Sequence, residues 1–171
     1  MAGDFLAPSL LSSLDNGVGV VDVMNTTGFD YAVFGNHECD VHQDYLLDRI
    51  GQSKFQWINS NMQSLNMQGA PALPEYIIQT VTMGTVTKRV GLLGLLSNDP
   101  HLYRPGSFGG AIIEPVISTY EKLSKQLLDE EHVDLIVPIT HQSMKDDRKM
   151  AKTLSNVPVI LGGMSLTISS Y

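Results

Sequence analysis

The sequence predicts a single α/β domain, and three observations carry that prediction. Apolar runs of strand-like and helix-like period alternate along the whole chain. No internal repeat, low-complexity tract or linker interrupts them. The 171 residues, 43% hydrophobic and 17% charged, suffice for one sizeable core and exclude disorder.

Taken in order, residues 18–27 (VGVVDVMNTT) combine helix-like spacing with β-branched valines. They are assigned to a helix because Asn25-Thr26-Thr27-Gly28 has the form of a helix end with glycine just beyond it. Residues 31–34 (YAVF) form a strand. Residues 43–50 then form a helix with Tyr45, Leu46 and Ile50 inward, and the Asp40 to Gln43 spacing suits a capping box at its start. Residues 55–58 (FQWI) are a strand with Trp57 in the core. Residues 76–82 and 85–96 make a hairpin around Met83-Gly84. The clearest helix is 115–131, opened by Glu114-Pro115 and striped by Ile117, Tyr120, Leu123, Leu127 and Leu128. Residues 133–140 (VDLIVPIT) and 157–161 (VPVIL) are continuously apolar, as strands buried on both faces are. A last helix, 144–154, lies between them with Met150, Ala151 and Leu154 inward.

Net charge is −7 and the pI about 5.0, so a phosphate-tracking basic surface is excluded and nucleic acid is not an expected partner. Cys39 is the only cysteine, which rules out an internal disulfide framework and suits a reducing compartment. No apolar run approaches the roughly 18 residues of a membrane span, and the start lacks a basic segment, so as written the chain is expected to be cytoplasmic with no membrane partner. Mean hydropathy of +0.01 is high for so lightly charged a domain and points to apolar surface that expects a covering.

Polar residues capable of chemistry gather directly after the strands, where open α/β sheets place their ligands. YAVF runs into Gly35-Asn36-His37-Glu38-Cys39-Asp40, VDLIVPIT into His141-Gln142, and Gly3-Asp4 precedes Phe5-Leu6. Carboxylate, amide oxygen and imidazole together suit a hard or borderline divalent ion such as Mn²⁺, Zn²⁺, Fe²⁺ or Co²⁺, and the lack of thiolates argues against structural zinc. Plain structural roles fit His42, His101 and His132. Met62 and Met67 read as loop or rim residues, and Cys39 as a small buried hydrophobe. Gly17-Val18-Gly19 lacks the third glycine of a dinucleotide fingerprint.

The Gly-Asp near the start, GNHECD after a strand and Thr140-His141-Gln142 after another resemble three motifs of the calcineurin-like metallophosphoesterases. The string GFDYAVFGNHECD resembles their 5′-nucleotidase branch, and the similarity runs from Gly3 to Gly163. The resemblance implies part of a four-layer αββα sandwich of the metallo-dependent phosphatase type, hydrolysing nucleotides or other phosphate esters with two divalent metals. It implies that Asp4 bridges both metals, that Asn36 and His141 bind the second, and that His37 donates a proton with Asp40 orienting it. His37 would not be a ligand.

The resemblance also calls for an Asp-x-His upstream of the Gly-Asp and a Gly-His-x-His after VPVILGG. Three residues precede Asp4, and the later stretch reads Gly162-Gly163-Met164-Ser165-Leu166. A thioether and an alkyl side chain stand where imidazoles would, and neither replaces one on such ions. The expectation is a single, incomplete catalytic domain over 1–171, without the nucleotide-binding domain that follows in complete 5′-nucleotidases. At most one metal is expected, with little turnover; the alternative is an inactive, truncated α/β module that keeps the fold and binds at most one metal.

Overall fold

The computed structural model describes residues 1–164, so Leu166 lies outside the described residues. In chain order the elements are α1 (Ser12–Asp15), α2 (Val18–Thr27), β1 (Tyr31–Val33), α3 (Gln43–Gln52), β2 (Gln56–Ile58), β3 (Tyr76–Met83), β4 (Val86–Leu96), α4 (Val116–Asp129), β5 (Leu135–His141), α5 (Met144–Thr153) and β6 (Leu161–Gly162). A 3₁₀ turn over Asn36–Asp40 joins β1 to α3. α2 is a helix despite its valines. The Asp15 carboxylate accepts the N–H groups of Gly17 and Gly19 at 2.9 and 2.7 Å, filling the place of an N-cap, and Gly28 closes the far end in the left-handed region.

Two sheets stack between two pairs of helices. β1 and β2 pair in parallel, with Ala2 bridged beside Val33, and the second sheet runs β3-β4-β5-β6, antiparallel at its first pair and parallel thereafter. The side-chain period of 2 sorts the residues into layers. Leu93, Leu95 and Ile136 face outward and pack with Val116, Tyr120, Leu123, Leu127 and Met150 of α4 and α5. Ile139 faces inward and meets Val33 and Ile58 between the sheets. Ala32, Phe34 and Trp57 meet Val21, Met24 and Leu46 of α2 and α3 on the far side. The order is helix, sheet, sheet, helix, the expected αββα stack.

Several local expectations are corrected. The 157–161 run is not a strand buried on both faces: only Leu161–Gly162 is strand, both residues are exposed, and Val157-Pro158 precedes it as irregular chain. Proline removes a ladder donor, and no further strand covers this edge among the described residues. The hairpin turns on Gly84-Thr85, one residue later than expected, because Met83 pairs with Val86. Met62 is fully buried core rather than rim, and Cys39 is half-buried. Asp40 does not cap α3; His42 occupies that position and its ring accepts the Asp44 N–H.

Candidate metal centre

The site lies where both sheets end. His141 is the last residue of β5, on the same inward face as Ile139, and its side chain is fully buried. Asn36 opens the turn after β1, and Asp4 follows the short stretch that bridges to Val33. Two glycines let these segments touch. A Cβ at Gly35 would fall 2.3 Å from Asp4 Oδ1, and one at Gly3 would fall 2.5 Å from His141 Nδ1. No other residue permits this approach.

Asp4, Asn36 and His141, distant in sequence, come together. His141 Nε2 lies 3.0 Å from Asp4 Oδ2 and 3.2 Å from Asn36 Oδ1. His141 Nδ1 lies 2.8 Å from the Ala2 carbonyl, which can only accept, so Nδ1 carries the proton. In a neutral imidazole that leaves the Nε2 lone pair facing two oxygen lone pairs. A positive charge at their centre resolves the conflict, whether a proton on Nε2 or a metal ion.

The electrostatics agree. Burial opposes charge on His141, yet the contacts with Asp4 and the Ala2 carbonyl outweigh it and raise the pKa. At Asp4 burial likewise works against the charge, but His141 and the backbone N–H of His37, 2.9 Å from Oδ1, hold the carboxyl below its usual range. Donor separations near 3 Å also fit a common ion, since ligands about 2.1 Å from a metal at right angles lie about 3 Å apart. Among the described residues no three His, Cys, Asp or Glu side chains form a metal cluster. Here the third donor is an amide oxygen, so the set matches a divalent ion that accepts oxygen ligands.

His37 sits beside this cluster, its side chain 41% exposed, with Nδ1 2.6 Å from Asp40 Oδ2. Sequence reasoning missed three supporting groups. Ala2 orients His141 through its backbone. The buried Asp147 carboxylate accepts from Thr140 Oγ1 at 2.8 Å and from Gln142 Nε2 at 2.9 Å, gripping both neighbours of His141. Glu38, fully buried, accepts four backbone N–H groups; its spacing of three from Gly35, that of a cap to the third helical residue, was the available signal. A crevice of about 620 Å³ opens nearby at the ends of β4 and β5, lined by Ser97, Gln142 and the first turn of α4.

No protein-family model matches the chain. It is 26% identical over 196 residues to the trifunctional nucleotide phosphoesterase protein YfkN of Bacillus subtilis, across 98% of this chain and 13% of that protein. The structure of a 5′-nucleotidase precursor from Thermus thermophilus superposes with a TM-score of 0.82 at 26% identity, covering 99% of this chain and 33% of that one. A calcineurin-like phosphoesterase structure of YfkN from Bacillus subtilis gives 0.75 at 18% identity, over 95% of this chain and 56% of that one, a likeness of fold. The chain therefore spans only a minor part of the length of the curated relatives it matches. Its homologues and structural neighbours are 5′-nucleotidases and calcineurin-like phosphoesterases, and its fold is that of the metallo-dependent phosphatases.

Proposed function

We propose that this chain, a calcineurin-like phosphoesterase chain by its relatives and its fold, contributes to hydrolysis of nucleotides or related phosphate monoesters. In this reading Asp4, Asn36 and His141 hold a divalent cation, and His37 with Asp40 forms a proton-donating pair. The observation that carries it is the meeting of two oxygen lone-pair atoms with His141 Nε2 while Nδ1 is committed to a carbonyl. When bound, such a cation supplies Lewis acidity toward a phosphoryl oxygen and lowers the pKa of water. Asp40 accepts a hydrogen bond from Nδ1–H of His37 and fixes the ring, so that its imidazolium form can give the Nε2 proton to a leaving oxygen and keep the one on Nδ1. Burial of His141 and the grip of Asp147 on its neighbours keep the donor atoms in place before substrate arrives.

Among the described residues the three converging donors serve one cation, and Met164 offers a thioether rather than an imidazole. One cation is half of a two-ion clamp, so binding outlasts chemistry in this chain on its own. The test is equilibrium dialysis of the purified chain against Mn²⁺ with elemental analysis, followed by phosphate release from a nucleoside monophosphate. About one Mn²⁺ per chain, lost in Asp4→Ala, with slow or no release, is expected. Wild-type protein that takes up no Mn²⁺ would remove the cation from this reading and leave the alternative, an inactive α/β module that keeps the fold and binds at most one metal. Two Mn²⁺ with rapid turnover would show that residues not identified here complete the site.

A further inference from the structure

We propose that Glu38 is a positioning residue: its buried carboxylate is a backbone clamp that sets where Asp4 presents its side chain to Asn36 and His141. Oε2 accepts the N–H groups of Asp4 and Gly35 at 2.8 and 2.6 Å, and Oε1 accepts those of Phe5 and Leu6 at 2.8 and 3.0 Å. All four donors are main-chain groups, two of them from the residues whose contact builds the site. The lacing is reciprocal, because Asp4 Oδ1 accepts the His37 N–H from the same turn that carries Glu38. Side chain 4 is tied to turn 36–40, and side chain 38 is tied to segment 4–6.

Backbone conformation gives an independent reason for the clamp. Asp4 has φ +53°, the left-handed region, which costs a non-glycine residue free energy and persists only where surroundings over-determine it. A relaxed Asp4 would swing its carboxylate away from His141. A carboxylate is the side chain that can serve here, since both oxygens accept two bonds each with no hydrogen of their own. Glutamine turns one oxygen into an NH₂ that opposes two N–H donors. Aspartate keeps the charge but is one methylene too short to reach both segments.

This proposal rests on the metal-centre reading for one of its measurements only. Glu38→Gln and Glu38→Asp are compared with wild type and with Asp4→Asn by thermal melting, Mn²⁺ affinity and, in metal-free protein, the ring ¹⁵N resonances of His141. Folded Glu38→Gln should bind Mn²⁺ about 10- to 100-fold more weakly, the range typical of groups that orient ligands. Its His141 resonances should move toward those of Asp4→Asn, with Glu38→Asp between. Folded variants with wild-type resonances overturn the proposal. If wild type binds no Mn²⁺, the metal reading fails while the resonances still decide the role of Glu38. Should neither variant fold, hydrogen exchange of the wild-type protein decides: the amides of Asp4, Phe5, Leu6 and Gly35 should be protected together, and free exchange at these four overturns the clamp.

Discussion

Asp4 makes its contacts with both oxygens: Oδ1 takes the His37 N–H while Oδ2 faces His141, so any intrusion on its carboxylate disturbs two connections at once. Gly35→Ala tests this, since the new methyl would fall 2.3 Å from Oδ1 and 2.4 Å from the Asp4 nitrogen. The variant should lose about 2–3 kcal/mol in urea denaturation, the range of substitutions that force buried polar groups apart, and should lose Mn²⁺ uptake with it. His37→Ala should separate the two functions. Its ring lies outside the three converging donors, so Mn²⁺ uptake should hold at the wild-type level, while in a complete homologue the same substitution should lower phosphate release by about 10²- to 10⁴-fold. Equal loss of Mn²⁺ would make His37 a ligand. Asn36, His37, Asp40 and His141 were candidates because each sits in a short polar string directly after an apolar run, and Gly3-Asp4 only because it agrees with the other two motifs. Glu38 and the Ala2 carbonyl were not. The Gly35 to Glu38 spacing signals a cap for the turn, but nothing local encodes the approach of residues 4–6 to Glu38 or of Ala2 to His141, segments more than thirty residues apart.

Among the elements, α4 was the most legible because a stripe of 3.6 period has one physical outcome, burial of that face. Tyr120, Leu123 and Leu127 are fully buried against β4 and β5. Leu123→Ala should cost about 2–5 kcal/mol by urea denaturation, through lost transfer energy and the cavity left behind. β6 was overread because an apolar run cannot state whether a neighbouring strand exists to cover it. The junction of β4 and β5 adds a pH effect. Asp134 Oδ1 pairs with Lys88 Nζ at 2.6 Å and Oδ2 accepts the Arg89 N–H at 2.7 Å. The side-chain contact with Lys88, then the Arg89 N–H, lower its pKa below the usual value against a small opposing desolvation. A lowered carboxyl stabilises the fold above its unfolded pKa of about 3.9, and that contribution disappears as pH falls through the folded value. Asp134→Asn should therefore lie closest to wild type in melting temperature at the acid end, with the gap opening as pH rises through the folded value and complete above about 4. A gap constant from pH 3 to 7 would assign the effect to something other than this carboxylate.

On the scale of the whole molecule, the two sheets hold together through a thin apolar layer, the hydrogen bonds of Ser60 and Asn61 after β2 to Gly94 and Leu96 of β4, and a polar corner at the site. Val33, Ile58 and Ile139 are the fully shielded apolar residues of that layer, far fewer than pack on either outer side. At the corner, Asp4 and Asn36 belong to segments on the β1-β2 side and His141 to the other sheet. An ion held by all three residues would bridge the halves, and because the unfolded chain cannot assemble these donors, binding must stabilise the folded state. At a Mn²⁺ concentration 100 times its dissociation constant the gain is about 2.7 kcal/mol. For a chain of this size that corresponds to a melting temperature raised by about 5–10 °C. Linkage also runs in reverse: Ile58→Ala, which removes no donor but loosens the layer under the corner, should weaken Mn²⁺ binding as well as lower stability. Asp4→Ala provides the control, since it removes a donor without touching the apolar layer and should make the melting temperature insensitive to Mn²⁺. Thermal melts of the three proteins over a Mn²⁺ series separate the cases. A wild-type melting temperature that does not move at saturating Mn²⁺, or a shift that survives Asp4→Ala, would mean that no ion couples the sheets at this corner.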